Sequence, residues 1–169
     1  ALQKVSIKDF ELLTEGNKEH LRPTLYDFLA HKALDVFRQT ELSLTKPIDY
    51  FEIDRDYFFQ SAARFVQNEF ESSDSLSFQY QSVHIFKELL AFRLSDKNNS
   101  EALIDADLRR LQYMHDNSVN PEKDELYFRS LKNLEKQYAD DRAVAEVKYA
   151  SANYFFDKSA AYDPEDEMT

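Results

Sequence analysis

A single glycine, Gly16, occurs in the 169 residues of this chain. Dinucleotide-binding units, phosphate-binding loops and nucleophile elbows need several glycines, because glycine allows positive φ angles and close backbone approach. The Asn-Gly and Asp-Gly pairs typical of β-hairpins are also absent from the sequence. A β-sandwich or barrel would therefore lack its usual tight turns. The sequence predicts an all-α fold.

Composition and charge argue against several classes of function for this chain. The formal net charge of −11 is spread along the chain and would repel a polyanion, so we expect no nucleic-acid partner. No apolar run is long enough to cross a bilayer and no signal peptide opens the sequence, which predicts a soluble segment without direct membrane insertion. The absence of cysteine excludes disulfides and thiolate sites, and it leaves the compartment open.

Hydrophobic periodicity predicts about seven helices in a single helical domain, residues 1–169, which we expect to be a fragment of a longer chain. Residues 1–70 form the N-terminal helices and a loop, and residues 75–163 form two helical hairpins. The expected helices lie at about 2–16, 25–39, 56–70, 76–95, 101–116, 121–139 and 140–161. The hairpin length of about 43 to 45 residues is typical of helical-pair repeats, so the fold class is a tetratricopeptide-like array of stacked antiparallel hairpins. We find no residue-by-residue self-similarity between the hairpins.

The helix at 25–39 has the clearest start, because Thr24 can cap it while Asp27 lies in its first turn. Its side chains fall into three groups: an apolar stripe of Leu25, Phe28, Leu29, Val36 and Phe37, a second apolar flank of Tyr26, Ala30, Ala33 and Leu34, and a polar arc of Asp27, His31, Asp35 and Arg38.

Two neighbouring segments contribute further apolar side chains. The loop at 40–55 is expected to place Tyr50, Phe51 and Ile53 over a neighbouring surface. The expected core contacts of the helix at 56–70 are Phe58 or Phe59, Ala62, Ala63, Phe65, Val66 and Phe70.

Asp27 and Asp35 each lie four positions from His31, so a carboxylate-oriented imidazole could act as a base or a metal ligand. The helical wheel favours a different interpretation, in which these residues form a solvated or interface-facing polar stripe. His84 and Glu88 have the same spacing, and we interpret them in the same way.

Two Gln-x-x-His pairs have the spacing of the Glu-x-x-His motif in di-iron bundles: Gln81 with His84, and Gln112 with His115. A neutral amide is a poor substitute for a bridging carboxylate, so this hypothesis is weak. His115 continues an apolar face near a helix C-terminus, where a hydrogen-bonded or dipole-stabilised histidine is the ordinary explanation. We assign no catalytic, cofactor-binding or metal residues and expect neither enzyme activity nor a cofactor.

The sequence contains 14 Phe and 10 Tyr. Most of these side chains are expected to fill the core of a protein that has no tryptophan. Tyrosine combines an apolar ring with a polar hydroxyl, so some of them are candidates to line an interface or groove.

The phrases LRPTLYDFLAHKALDVF, IDYF and YFFQSAARFV, within residues 20–70, resemble the N-terminal region of large bacterial α2-macroglobulin-family proteins. In those proteins a helical segment with a similar phrase precedes a tetratricopeptide-like array. Residues 75–169 resemble the corresponding region of those proteins only in being a series of amphipathic helices, without similar sequence phrases. The Cys-containing thioester of some family members is not in this chain, so no functional residue is carried over.

The resemblance implies a non-enzymatic scaffold or protein-interaction module at the N-terminal end of a periplasmic or envelope protein, whose whole chain inhibits proteases. Its partners would be proteins or other domains of the same chain. Two alternatives stay open: a helical-repeat adaptor that binds a peptide on a Tyr-rich concave face, and a helical metal-binding or hydrolytic domain that uses His31 with Asp27 or His84 with Glu88.

Overall fold

The computed structural model describes residues 1–10, 19–38 and 49–160. The secondary-structure elements in these ranges are all helices, so the described part of the chain has an all-α fold. Their α-helices are α1 Leu25–Phe37, α2 Ala62–Phe65, α3 Phe78–Ser95, α4 Ser100–Asn117, α5 Lys123–Gln137 and α6 Val144–Ala160. Three short 3-10 helices lie at Leu2–Lys4, Ile7–Asp9 and Asp56–Phe59. The extended pairing in the described ranges consists of isolated bridges, Ser6 with Thr24 and Ile53 with Ser118.

A capping box starts α1, as predicted. The Thr24 hydroxyl oxygen accepts a hydrogen bond from the Asp27 backbone N–H at 3.2 Å, and the Asp27 carboxylate accepts one from the Thr24 N–H at 3.0 Å. Both backbone donors would otherwise have no partner within the helix. The start of the helix is therefore fixed by residues adjacent in sequence.

The expected apolar stripe of α1 is only partly buried: Leu25, Phe28 and Phe37 are half-buried. Leu29 and Val36 are 44% and 55% exposed, whereas Asp27 and His31, on the polar arc, are only 1% and 3% exposed. Asp27 and His31 are buried because arginines of α3 and α4 pair with them, which satisfies groups that would be costly to bury alone. Asp35 and Arg38, on the same arc, remain exposed. Ala30 and Leu34, from the second flank, complete the buried face.

The expected helix at 2–16 is also wrong within the described residues 1–10, which form the two short 3-10 helices. Their backbone pairs with the segment before α1 instead: Ile7 N–H donates to the Pro23 carbonyl at 3.0 Å, and Leu25 N–H donates to the Val5 carbonyl at 2.9 Å. The rest of the predicted helix, residues 11–16, lies outside the described ranges.

The expected helix at 56–70 is interrupted at Gln60 and Ser61, whose backbones are extended. The carbonyls of this segment accept hydrogen bonds from distant side chains. Arg110 donates to the carbonyls of Phe58 and Gln60 at 2.6 and 2.8 Å, and the Ser130 hydroxyl donates to that of Phe59 at 2.6 Å. Two short helices replace the long one because tertiary donors occupy these carbonyls. The prediction of Ala63 as a core residue is wrong, since it is exposed.

The loop before this segment is packed as predicted where the structure describes it. Phe51 and Ile53 are buried and Tyr50 is half-buried. The Ile53 carbonyl accepts hydrogen bonds from the Val119 N–H at 3.1 Å and from the Ser118 hydroxyl at 2.7 Å. These bonds attach the loop to the residues that follow α4. The rest of the predicted loop, residues 40–48, lies outside the described ranges.

The last four predicted helices are confirmed as α3 to α6, with shifted ends. Helix α5 begins at Lys123 instead of Pro121, although the Asn120 side chain accepts a cap-like hydrogen bond from the Glu122 N–H at 2.8 Å. In the packing, α3 contacts α1 and α4, while α5 contacts α4 and α6.

Aromatic side chains fill much of this interior, as predicted. The buried ones are Phe51, Phe58, Phe59, Phe65, Phe70, Phe86, Tyr113 and Tyr127. Phe58 stacks on Phe70 with ring centroids 5.4 Å apart. Such pairs add about 0.5–1.5 kcal/mol to the contribution of burial itself.

Replacing Arg110 with alanine is expected to lower the free energy of unfolding by about 3–5 kcal/mol, because Asp107 is left as a buried unpaired carboxylate and two carbonyls lose their donor. Urea denaturation followed by far-UV circular dichroism measures the change. Arg129→Ala, at an exposed position of α5, is the matched control and should stay within about 0.5 kcal/mol of wild type. Equal losses in the two variants would contradict the role of Arg110.

Candidate binding groove

Helices α1, α4 and α6 line a groove that contains two adjoining cavities. Their volumes are about 520 Å³ and about 390 Å³. Arg38, Gln112, Ala150 and Asn153 line both cavities, so the two cavities adjoin each other. Cavities of this size are in the range of small-molecule and side-chain binding sites.

Ion pairs join α1 and its preceding segment to α4 along one side of the groove. Arg22 lies 3.3 Å from the Asp105 carboxylate, and Arg109 lies 2.5 Å from that of Asp35. An exposed pair, Arg38 with Asp116 at 3.8 Å, lies nearer the ends of both helices. Exposed pairs contribute little to stability, so we expect the Arg38–Asp116 pair to add little to the free energy of folding.

A second set of polar contacts joins α4 to the start of α6. The Ser100 hydroxyl donates a hydrogen bond to Asp141, and Arg142 contacts both carboxylate oxygens of Glu101, the longer contact being 3.0 Å. The bidentate geometry fixes the orientation of both groups. The Arg142 bond is the main cause that lowers the pKa of Glu101.

His31 lies beneath this groove, in contact with Arg109 of α4. An Arg109 N–H lies 2.8 Å from Nδ1 of His31, and arginine can only donate, so Nδ1 accepts and the ring proton is on Nε2. Nε2 lies 3.8 Å from Asp105. Burial, together with the charges of Arg22, Arg109 and Arg93, lowers the pKa of His31 to about 2. The ring is therefore neutral near pH 7.

Asp27 does not share a site with His31. Its carboxylate lies 3.1 Å from Arg93 of α3, which also contacts Asp96 at 3.2 Å. Burial raises the pKa of Asp27, although the Thr24 hydrogen bond and the Arg93 charge oppose this rise. The structure thus divides the predicted trio: Asp27 pairs with Arg93, whereas His31 and Asp35 both contact Arg109.

The other histidine pairs of the sequence hypotheses have separate partners. His84 donates from Nε2 to the Phe70 carbonyl at 3.3 Å and packs against Tyr80, while Glu88 is exposed. Gln81 donates to the Ser75 carbonyl at 2.6 Å. These contacts belong to the start of α3 and its preceding loop.

His115 is hydrogen-bonded, as the ordinary explanation predicted. Its Nε2 lies 2.8 Å from the Asp124 carboxylate, and its ring stacks on Tyr127 with centroids 4.5 Å apart. Lys158 of α6 contacts the same carboxylate at 3.2 Å. The His115 bond, followed by Lys158, lowers the pKa of Asp124. Gln112 and His115, the two members of this Gln-x-x-His pair, both line the groove.

In residues 1–10, 19–38 and 49–160, no group of three or more His, Asp or Glu side chains has the proximity to hold a metal ion. None of the helices in those ranges has the length and apolar character needed to cross a bilayer.

The sequence interpretation missed the face that α6 presents to the groove. Glu146, Tyr149, Asn153 and Asp157 lie at i, i+3, i+7 and i+11 and all line it. This periodicity is visible in the sequence, but a mixed polar stripe is indistinguishable from an ordinary solvated face until its neighbours are known.

No family model, curated protein or solved structure matches this chain.

The stability of the protein is expected to fall between pH 7 and pH 5 partly because of His31. Unfolded histidine titrates near 6.5 and the folded pKa is about 2, so the unfolded state binds more protons between these values and stability decreases as pH falls below about 6.5. The expected His31 contribution to this loss is on the order of 2 kcal/mol. Urea unfolding at both pH values measures it.

The variant His31→Gln keeps an acceptor for Arg109 and should remove this part of the pH dependence. The matched control is His20→Gln at an exposed position, which should leave the dependence as in wild type. An unchanged pH dependence in His31→Gln would show that His31 is not neutral in the folded state.

Proposed function

We propose that this chain is a non-enzymatic protein-interaction module that holds an extended peptide segment in the groove of α1, α4 and α6. The observation that supports it most is that the two cavities share four lining residues and so adjoin each other, which gives the groove an elongated shape that fits an extended peptide. Gln112 and Asn153 line the shared part, and their amides can both donate to and accept from a peptide backbone. Tyr149 and Tyr154 add aromatic surface.

We infer that the helices form a tetratricopeptide-like array of antiparallel hairpins. The support comes from ring contacts between opposite helix ends. Tyr26 meets Phe92 and Phe37 meets Phe78 across α1 and α3, at 5.3 and 5.2 Å between centroids. Helices α1 and α4 then run side by side along the groove, since the Arg22–Asp105 and Arg38–Asp116 pairs join corresponding ends. The Glu101–Arg142 pair joins the start of α4 to the start of α6. This is the arrangement in which such arrays form concave binding surfaces.

The resemblance of residues 20–70 supports a location at the N-terminal end of an α2-macroglobulin-like envelope protein. In that setting the module contacts other proteins or other domains of its own chain, and protease inhibition belongs to the whole protein. The gene sequence tests this proposal. Strand-rich macroglobulin domains after this segment would support it, and a protein without them would contradict it.

The metal-binding or hydrolytic alternative receives less support from the surroundings of His31. Arg22, Arg93 and Arg109 place positive charge around the imidazole, and positive charge opposes a metal cation. Metal analysis of the purified protein separates the two classes. Stoichiometric metal that is lost in His31→Ala or His84→Ala would favour the alternative over the interaction module.

The peptide-binding proposal is tested with a random peptide display library selected on the purified chain. Asn153 is exposed and lines both cavities, so Asn153→Trp should block the groove without disturbing the core. We expect this variant to raise the dissociation constants of the selected peptides by more than about tenfold, which corresponds to about 1.4 kcal/mol of binding free energy.

The matched control is Ala152→Trp, which adds the same ring at the adjacent exposed position. It should leave affinity within about twofold of wild type, a difference of less than about 0.5 kcal/mol. Peptides that bind Asn153→Trp as tightly as wild type, or a library that yields no binding peptides, would contradict the proposal.

A further inference from the structure

We propose that the segment bound in the groove is cationic and carries two basic side chains about five residues apart in an extended chain. This inference rests on the proposed peptide-binding function and adds the chemical class of the ligand. It follows from the distribution of paired and unpaired charges among the groove-lining residues.

The positive groups of the groove already have acidic partners within the chain. Arg22 pairs with Asp105, and Arg109 pairs with Asp35. Lys158 contacts Asp124, and the exposed Arg38 contacts Asp116. An acidic ligand would therefore have to compete with these intramolecular carboxylates for every cation that lines the groove.

Two negative groups differ from the rest. Glu146 lines one cavity and Asp157 lines the other, and both are exposed. In the part of the chain that the structure describes, neither carboxylate has an ion-pair partner. Uncompensated charges of one sign inside a groove select ligands of the opposite sign. The groove therefore has two positions at which a basic side chain gains an attractive partner.

The positions of these carboxylates on α6 set the spacing of the basic groups. Glu146 and Asp157 are separated by eleven residues, which corresponds to about 16 Å along an α-helix that rises 1.5 Å per residue. An extended chain advances about 3.3 Å per residue, so about five residues span this distance. Asn153 lies between the two carboxylates, where its amide can contact the backbone of the spanning segment.

The negative net charge of the chain also favours a cationic ligand. With a formal charge of −11, the protein attracts a cationic segment over long range and raises its rate of association, particularly at low salt. The two groove contacts are exposed, so each is expected to change the dissociation constant by only about 1.4- to 5-fold. Charge thus selects the ligand, while the amides and aromatic rings supply the other contacts.

The test uses the peptides selected from the random library on the wild-type chain. We expect enrichment of sequences with Lys or Arg at positions i and i+5. The double variant Glu146→Lys/Asp157→Lys should bind these peptides about 2- to 25-fold more weakly. Fluorescence anisotropy with labelled synthetic copies of the selected peptides measures the dissociation constants.

The control double variant is Glu71→Lys/Asp140→Lys, which makes the same change in net charge at exposed positions outside the cavities. It should keep the affinity within about twofold of wild type at physiological salt, because distant exposed charges are screened there. An equal loss in the two double variants would overturn the inference, since it would show attraction by net charge alone.

Two other outcomes separate this inference from the proposed function. Selected peptides that lose affinity in Asn153→Trp but lack the spaced basic pair would overturn the cationic ligand and leave the groove as a peptide site. Peptides whose binding is the same in Asn153→Trp and Ala152→Trp would overturn the proposed function itself.

Discussion

The Arg110 guanidinium is the interaction on which the arrangement of the described chain most depends. It is fully buried, pairs with Asp107 on its own helix, and donates to the Phe58 and Gln60 carbonyls fifty or more positions earlier in the chain. It also lies 4.5 Å from the centre of the Phe65 ring. Burying such a charge is favourable only when every donor has a partner. The backbone at 56–61 therefore adopts the conformation that offers those carbonyls.

Pairing with arginines also explains why Asp27 and His31 of α1 face inward. Arg93 of α3 and Arg109 of α4 reach Asp27 and His31, so the acidic and imidazole groups are buried with partners. Leu29 and Val36 remain exposed as a consequence. Helix orientation in this protein follows the location of the arginines as much as the location of the apolar side chains, since a misplaced buried charge costs more than an exposed leucine.

Ion pairs and hydrogen bonds between the helices also place the groove. Arg109 contacts His31 and Asp35 from the α4 side, which fixes the spacing between α1 and α4 at one wall. The His115–Asp124–Lys158 contacts connect α4, the start of α5 and α6 at the other wall. The helices that line the groove are held by internal pairs, whereas Glu146 and Asp157 have no ion-pair partner among the described residues. In the proposed binding mode, stability and recognition would therefore use different members of one set of charges.

The sequence by itself determined the all-α class, the capped start at Thr24 and the positions of the four C-terminal helices. These features depend on residues close in sequence: a capping box, a 3.6-residue period and the shortage of glycine. Only the tertiary structure decided which face of α1 is buried, where the helix at 56–70 breaks, and that residues of α1, α4 and α6 line a common groove. The physical reason is that Arg93, Arg109 and Arg110 pair with groups far away in sequence, and local periodicity carries no information about such partners.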